Sequence, residues 1–448
     1  MGTYLQIFVS FMVLISFKPS SASSLNRFER EPYLQNYTHE GAIHLLFTVK
    51  YPTQVRVYYG NHKTSLSLHS SDLMVREDHD LVLKHLKPDI EYFYKIEAFD
   101  RKRGWLPLHE GLKSFVTPNH LPFNHEFSAW ILGDPGTYKA SNFQKLFKNT
   151  EKNILNSLES FDKDLPDMVF TLGNNAYHNG SKEDFDRAFF GVFGDLMQKI
   201  PFYPLFGKHD FGNIEEKQVY SVSCPEPKGV FFDLFHLPEE GDAGGIASKT
   251  EAYYSVDYRS VHFVVLDTMG LQCNLEEMMN WLDKDLATVP DEKWTIILSH
   301  HPITERFFKN PKKLDHIFQD VENRYKSRLM KIIDKYKVDF MISGHYHRYQ
   351  RTFPLIQGDI RSSFNIRVSE ANAARYERGE GTIFMVAGTS GSAWENQKLD
   401  KARLTSFVSY KPGGIVIKAS PQIFKLFYIG EGPQILDQIK IINTYKQI

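Results

Sequence analysis

Between residues 127 and 347 one local pattern keeps returning, and it constrains the fold more than any other feature of the chain. A short apolar run closes in a polar tip, and a helical stretch often follows. Phe127 to Leu132 runs into Gly133-Asp134, Met168 to Leu172 into Gly173-Asn174, and Phe202 to Phe206 into Gly207-Lys208-His209-Asp210. Val261 to Leu266 ends at Asp267, Trp294 to Leu298 at Ser299-His300-His301, and Phe340 to Ile342 at Gly344-His345-Tyr346-His347. Leu275, Met279, Leu282 and Leu286 recur at helical spacing, and 142–158 and 183–197 are further helix candidates. Strand, tip and helix in succession is the layered α/β pattern. Such folds gather ligands at strand ends, where loops from distant parts of the sequence converge.

The preceding stretch, 30–118, reads differently. Ile43 to Val49, Gln54 to Tyr59, Leu81 to Leu86 and Glu91 to Phe99 alternate as half-buried strands, broken at Asn61, Pro88 and Gly104. This predicts an all-β sandwich in which Tyr58 and Tyr59 pack on the sheet. The polar cluster Glu77-Asp78-His79-Asp80 is expected to be a solvated turn.

A length of 448 residues suits two or three domains. Lys plus Arg (53) nearly balance Asp plus Glu (54), so charge gives no case for nucleic acid or an anionic membrane as partner. Leu5 to Phe17 is apolar and is followed by Ser20-Ser21-Ala22-Ser23-Ser24, which predicts a signal peptide over 1–23 and a secreted or extracytoplasmic protein. The run is shorter than the ~18 residues of a membrane span. Cys224 and Cys273 can pair in an oxidising compartment or remain two buried thiols, and Asn36 and Asn179 head glycosylation sequons.

Taken singly, a Gly-Asp after a strand is commonly just a turn. His345-Tyr346-His347 says more, because residues two apart on extended backbone face the same way and neutral imidazole is the commonest metal ligand. The ordered series Gly133-Asp134-Pro135-Gly136, Gly173-Asn174-Asn175-Ala176-Tyr177, Gly207-Lys208-His209-Asp210, Ile297-Leu298-Ser299-His300 and Gly344-His345-Tyr346-His347 resembles the five-block signature of the metallophosphoesterases. Tyr177 resembles the purple acid phosphatase branch. His79 to Tyr94, Trp281 to Leu286 and Gly381 to Gly391 extend the likeness over most of the chain.

The resemblance implies a metallophosphoesterase β-sandwich flanked by helices over 125–448, preceded by a small fibronectin-III-like all-β domain over 30–118. It implies Asp134, Tyr177 and His347 as ligands of a ferric site, His300 and His345 as ligands of a divalent site (Zn, Mn or Fe), and His209 as the group contacting the phosphoryl oxygens. The implied reaction is hydrolysis of phosphomonoesters at acidic pH by a metal-bound hydroxide.

Two positions depart from that pattern. Asn174 stands where the resemblance implies an aspartate bridging both metals, and Lys208 where it implies an asparagine ligand. Gln350 replaces a glutamate in the tail of the last block. A +3 and a +2 ion ~3.5 Å apart repel by on the order of 30 kcal/mol at an effective dielectric of ~20, and bridging anions must offset that. An amide nitrogen does not coordinate usefully, and an ammonium has no lone pair. The expectation is a phosphate-binding phosphatase-like protein with strongly reduced or absent turnover and iron at one site at most. The alternative is an active acid phosphatase with an altered or mononuclear centre. A weaker one makes the N-terminal sandwich the functional surface.

Overall fold

The computed structural model describes residues 26–119, 125–136, 150–211, 228–303, 319–356, 359–360, 368–369, 373–391 and 404–444. The expected signal peptide, Cys224 and the first part of the 142–158 helix lie outside the described residues.

The N-terminal region is all-β: β1 (Phe28–Gln35), β2 (Ile43–Gly60), β3 (Leu68–Leu83), β4 (Glu91–Asp100), β5 (Gly104–Pro107) and β6 (Lys113–Val116). β2 is the spine, pairing with β1, β3 and β4 along its length. Val55, Val57 and Tyr59 alternate into the core with Leu45, Phe47, Tyr94 and Ile96. The polar cluster 77–80 is no turn, because β3 runs straight through it. Its residues alternate between two jobs. His79 is buried against Phe47 and bonds Asp72 Oδ2 (2.8 Å), whereas Asp78 and Asp80 face the second region. There Asp78 pairs with Lys182 (3.2 Å), and Asp80 is shared by His44 (2.8 Å) and His236 (3.2 Å). A polar run can remain strand when a partner waits on each face.

Further contacts seat this region on the next. Arg30 pairs with Asp186 (2.6 Å), the Tyr33 hydroxyl donates to Leu234 O (2.5 Å), and the His236 N–H donates to Gln35 Oε1 (2.6 Å). Asn36 is buried and donates to Asp242 Oδ2 (3.2 Å), which closes that sequon to a glycan in the folded chain; Asn179 is exposed.

The second region stacks two sheets with helices outside them. Its leading strands are β7 (Phe127–Leu132), β8 (Met168–Thr171), β9 (Phe202–Tyr203), β10 (Tyr254–Tyr258), β11 (Val261–Leu266), β12 (Trp294–Ser299), β13 (Phe340–Ser343) and β14 (Tyr349–Thr352). One sheet runs β10-β11-β12-β13, then Ile383–Ala387, β14 and Thr405–Ser409. The other continues from Gly413–Ala419 through β7, β8 and β9. β11, β12 and β13 are buried throughout, as parallel strands covered on both faces should be. The helices are α1 (Thr150–Phe161), α2 (Lys182–Phe185), α3 (Gly191–Met197), α4 (Val230–Leu234), α5 (Leu271–Leu286) and α6 (Gln319–Tyr336), with a π-helical turn, Asp186–Phe190, joining α2 to α3. The Leu275-Met279-Leu282-Leu286 stripe packs α5 on the first sheet. Among the described residues no helix is long and apolar enough to cross a membrane.

One buried polar residue interrupts the apolar strands. His262 on β11 bonds Asp257 Oδ1 through Nδ1 and Asp285 Oδ2 through Nε2, both at 2.9 Å, so it ties β10 to α5. Burial alone would lower its proton affinity, but the hydrogen bonds and charges of the two aspartates outweigh this and hold its pKa up at about 9. A raised histidine pKa contributes stability that is present in full below the ordinary value of 6.5 and is lost as pH rises through about 9. His262→Leu should cost about 3–5 kcal/mol near neutral pH by leaving Asp285 buried and unpaired. Urea unfolding from about pH 6 to about pH 10 should show the gap between wild type and variant narrowing on the alkaline side.

Candidate functional site

The parallel strands all end on one edge of the stacked sheets, and the polar tips meet there. Asp134 (φ 49°), Asn174 (φ 57°) and His345 (φ 67°) each lie in the left-handed region just past a strand. That backbone turns the side chain off the strand line and towards a common centre, at a cost of order 1–3 kcal/mol per residue. Tight packing requires glycine beside them: a Cβ at Gly344 would lie 2.5 Å from Asp134 Oδ2.

Asp210 staples the second and third tips. Its buried carboxylate accepts the N–H groups of Asn174 (2.9 Å), Gly207 (2.9 Å), Asn175 (2.7 Å) and Ala176 (3.1 Å). It was legible only as part of the tip sequence. Asp267, at the tip of β11, accepts the N–H groups of Met269 and Gly270 and the Asn274 side-chain amide, and so ties the turn after β11 to the first turns of α5.

Asp134, Asn174, Tyr177 and His347 form one cluster. Asn174 Nδ2 donates to Asp134 Oδ1 (2.7 Å) and to the Tyr177 oxygen (3.0 Å). The Tyr177 oxygen lies 3.3 Å from Asp134 Oδ1 and 3.2 Å from His347 Nε2. The orientation of the amide follows from its partners. The His209 main-chain N–H, which can only donate, meets Asn174 Oδ1 at 2.9 Å, and the Asp134 carboxylate requires a donor. The amide nitrogen therefore faces the oxygen donors, with its protons aimed between them. A ferric ion does not fit this arrangement, because the NH₂ occupies the approach to two of its three donors and contributes no lone pair. Burial pushes the Asp134 carboxyl up to about 7, against the hydrogen bonds from Asn174, the His345 N–H and Tyr177. The proton thus competes for the same oxygen.

His300, His301 and His345 form a second cluster, with one donor atom from each within 4.8 Å of the others. Burial first, then the neighbouring His301, holds His300 well below the ordinary imidazole range, and burial, His301 and Lys208 hold His345 down at about 2. His347 is lowered to about 4, mainly by burial. His300, His345 and His347 are therefore held in the neutral form, the one that binds metals. His301 was not singled out from the sequence as a ligand, although the doubled histidine at the β12 tip was there to be read. Lys208 is exposed, and its charge still reaches His345, where it weighs against protonation of the imidazole. His209 is half-buried with Nδ1 on His178 O (2.7 Å) and its ring beside Tyr177 (4.6 Å between centres). Gln350 is buried away from these clusters' hydrogen bonds and donates to Thr405 Oγ1 (2.6 Å).

Comparison with known proteins agrees with this layout. Residues 127–349 match the family model described as calcineurin-like phosphoesterase. A protein of Arabidopsis thaliana named probable inactive purple acid phosphatase 27 is 25% identical over 389 residues, covering 83% of this chain and 58% of its own length. The chain thus spans less than two thirds of that relative. A nucleotide pyrophosphatase/phosphodiesterase of Hordeum vulgare is 26% identical over 70% of this chain and 80% of its own. In fold, the purple acid phosphatase PPD1 of yellow lupin superposes with a TM-score of 0.68 over 92% of this chain and 74% of its own, at 19% identity.

Asp210 makes a direct prediction. Asp210→Ala orphans several buried N–H groups at once and should cost more than about 3 kcal/mol, since each unsatisfied buried donor costs about 1–3 kcal/mol. Denaturant unfolding checks this; a loss under about 1 kcal/mol would contradict the staple.

Proposed function

This chain belongs to the calcineurin-like phosphoesterases, on the purple acid phosphatase branch, and on that footing we propose that it binds phosphate or a phosphomonoester while having lost most or all of its turnover. The observation that carries the reading is the Asn174 amide, whose nitrogen faces Asp134 and Tyr177 where the family's dinuclear centre needs a bridging anion. A bound metal pair in this family supplies the charge that holds phosphate and the activated water that attacks it. Here the residues that remain suit binding better than attack. His209, with Nδ1 fixed by His178 O and its ring half-buried beside Tyr177, would donate to phosphoryl oxygens through Nε2. Exposed Lys208 adds a positive charge at the cleft mouth and so favours an anion. The name of the Arabidopsis relative points the same way.

The second reading, an active acid phosphatase with an altered centre, draws on the intact imidazole cluster. An oxidising, extracytoplasmic location is part of our proposal. Its structural support is that Cys273 is disulfide-bonded, a bond that persists outside reducing compartments.

Hydrolysis of p-nitrophenyl phosphate near pH 5 separates the two readings. The double reversion Asn174→Asp with Lys208→Asn should exceed wild type by at least ~10³-fold, since one strong transition-state contact alone is worth about 10²–10³. Equal rates for the two proteins would contradict lost turnover.

A further inference from the structure

Consecutive residues on a strand point to opposite faces, so His300 and His301 would diverge if β12 continued. β12 ends at Ser299, and in the turn beyond it both rings come to the side of His345. Ring centres are 4.8 Å apart for His300 and His301, 5.3 Å for His300 and His345, and 4.4 Å for His301 and His345. Their planes cross at 70°, 73° and 60° respectively. Three imidazoles each bonded through one nitrogen to a tetrahedral ion, at about 2.0–2.1 Å, place their ring centres about 5 Å apart.

The outer nitrogens are engaged as such a site requires. The Leu172 carbonyl can only accept, so His300 Nδ1 (2.7 Å) carries the proton and Nε2 keeps its lone pair. That buried Nε2 has no hydrogen-bond partner among the described residues. Thr268 Oγ1 holds His301 twice, at Nδ1 (3.2 Å) and at the main-chain N–H (3.0 Å), and so fixes the ring with one of its nitrogens within 4.8 Å of donor atoms of His300 and His345. Anchoring the far nitrogen is how proteins orient metal-binding histidines.

We propose that His300, His301 and His345 form a mononuclear three-histidine site for a zinc-type divalent ion. His301 supplies a donor in place of those lost at positions 174 and 208, and Thr268 is its positioning residue. The ion is held without help from Asp134, Asn174 or Tyr177. The proposal rests on the reading that the Asn174 amide excludes a metal pair, but metal binding tests it separately from hydrolysis.

Titration of the metal-free full chain with Co²⁺ should give the intense visible bands of a four-coordinate ion at one per chain, removed by Zn²⁺. His301→Ala and the bulkier His301→Gln should each weaken Co²⁺ binding at least ~100-fold, beyond the 10–100-fold expected of Thr268→Val as an outer partner. Tyr177→Phe should leave it unchanged. In wild-type crystals soaked with Zn²⁺, an anomalous peak should lie within bonding distance of His300, His301 and His345, a result that needs no variant. No bands, a peak elsewhere, unchanged affinity in both His301 variants, or loss of binding in Tyr177→Phe would each overturn the proposal. Full phosphatase turnover by wild type would contradict the functional reading and leave these metal results to decide this one.

Discussion

The direction of one side-chain amide organises the polar cluster at the strand ends. Asn174 Oδ1 takes the His209 N–H, and this turns the NH₂ onto Asp134 and Tyr177. An aspartate there would present two acceptors to a cation; the asparagine presents donors to two acceptors. Hydrogen bonds among Asp134, Asn174, Tyr177 and His347 hold the cluster together. Asp134, with its pKa raised to about 7 by burial, is satisfied by protons on every side. Two highly charged ions a few ångströms apart have little left to bridge them.

Around this amide the scaffold is unaltered in kind. Parallel strands deliver their tips to one edge, left-handed residues turn the side chains inward, and Asp210 locks the second tip to the third. The same staple fixes the backbone on both sides of the exchange, at Asn174 and beside Lys208. The histidine cluster has anchors of its own, because Leu172 O holds His300 and Thr268 Oγ1 holds His301.

Much of this was legible before any coordinates. Apolar runs with polar ends placed β7, β8, β12 and β13 to within a residue or two at most boundaries, because fully buried parallel strands admit few other residues. What could not be read depends on contacts distant in sequence. The amide's direction is set from His209, 35 residues on. The exposure of Lys208 is a matter of rotamer and turn. Strand alternation would send His301 away from His300, and only the end of β12 at Ser299 brings it round. The misread cluster at 77–80 stays in β3 because Lys182 and His236, from the other region, satisfy its outer face.

The visible absorption spectrum of the wild-type chain after loading with iron and zinc tests the central claim most directly, because a phenolate bound to ferric iron is coloured. The account predicts a colourless protein, with a purple band appearing only once Asn174→Asp restores the bridging carboxylate. A purple wild-type protein, with iron held by Tyr177, would contradict it.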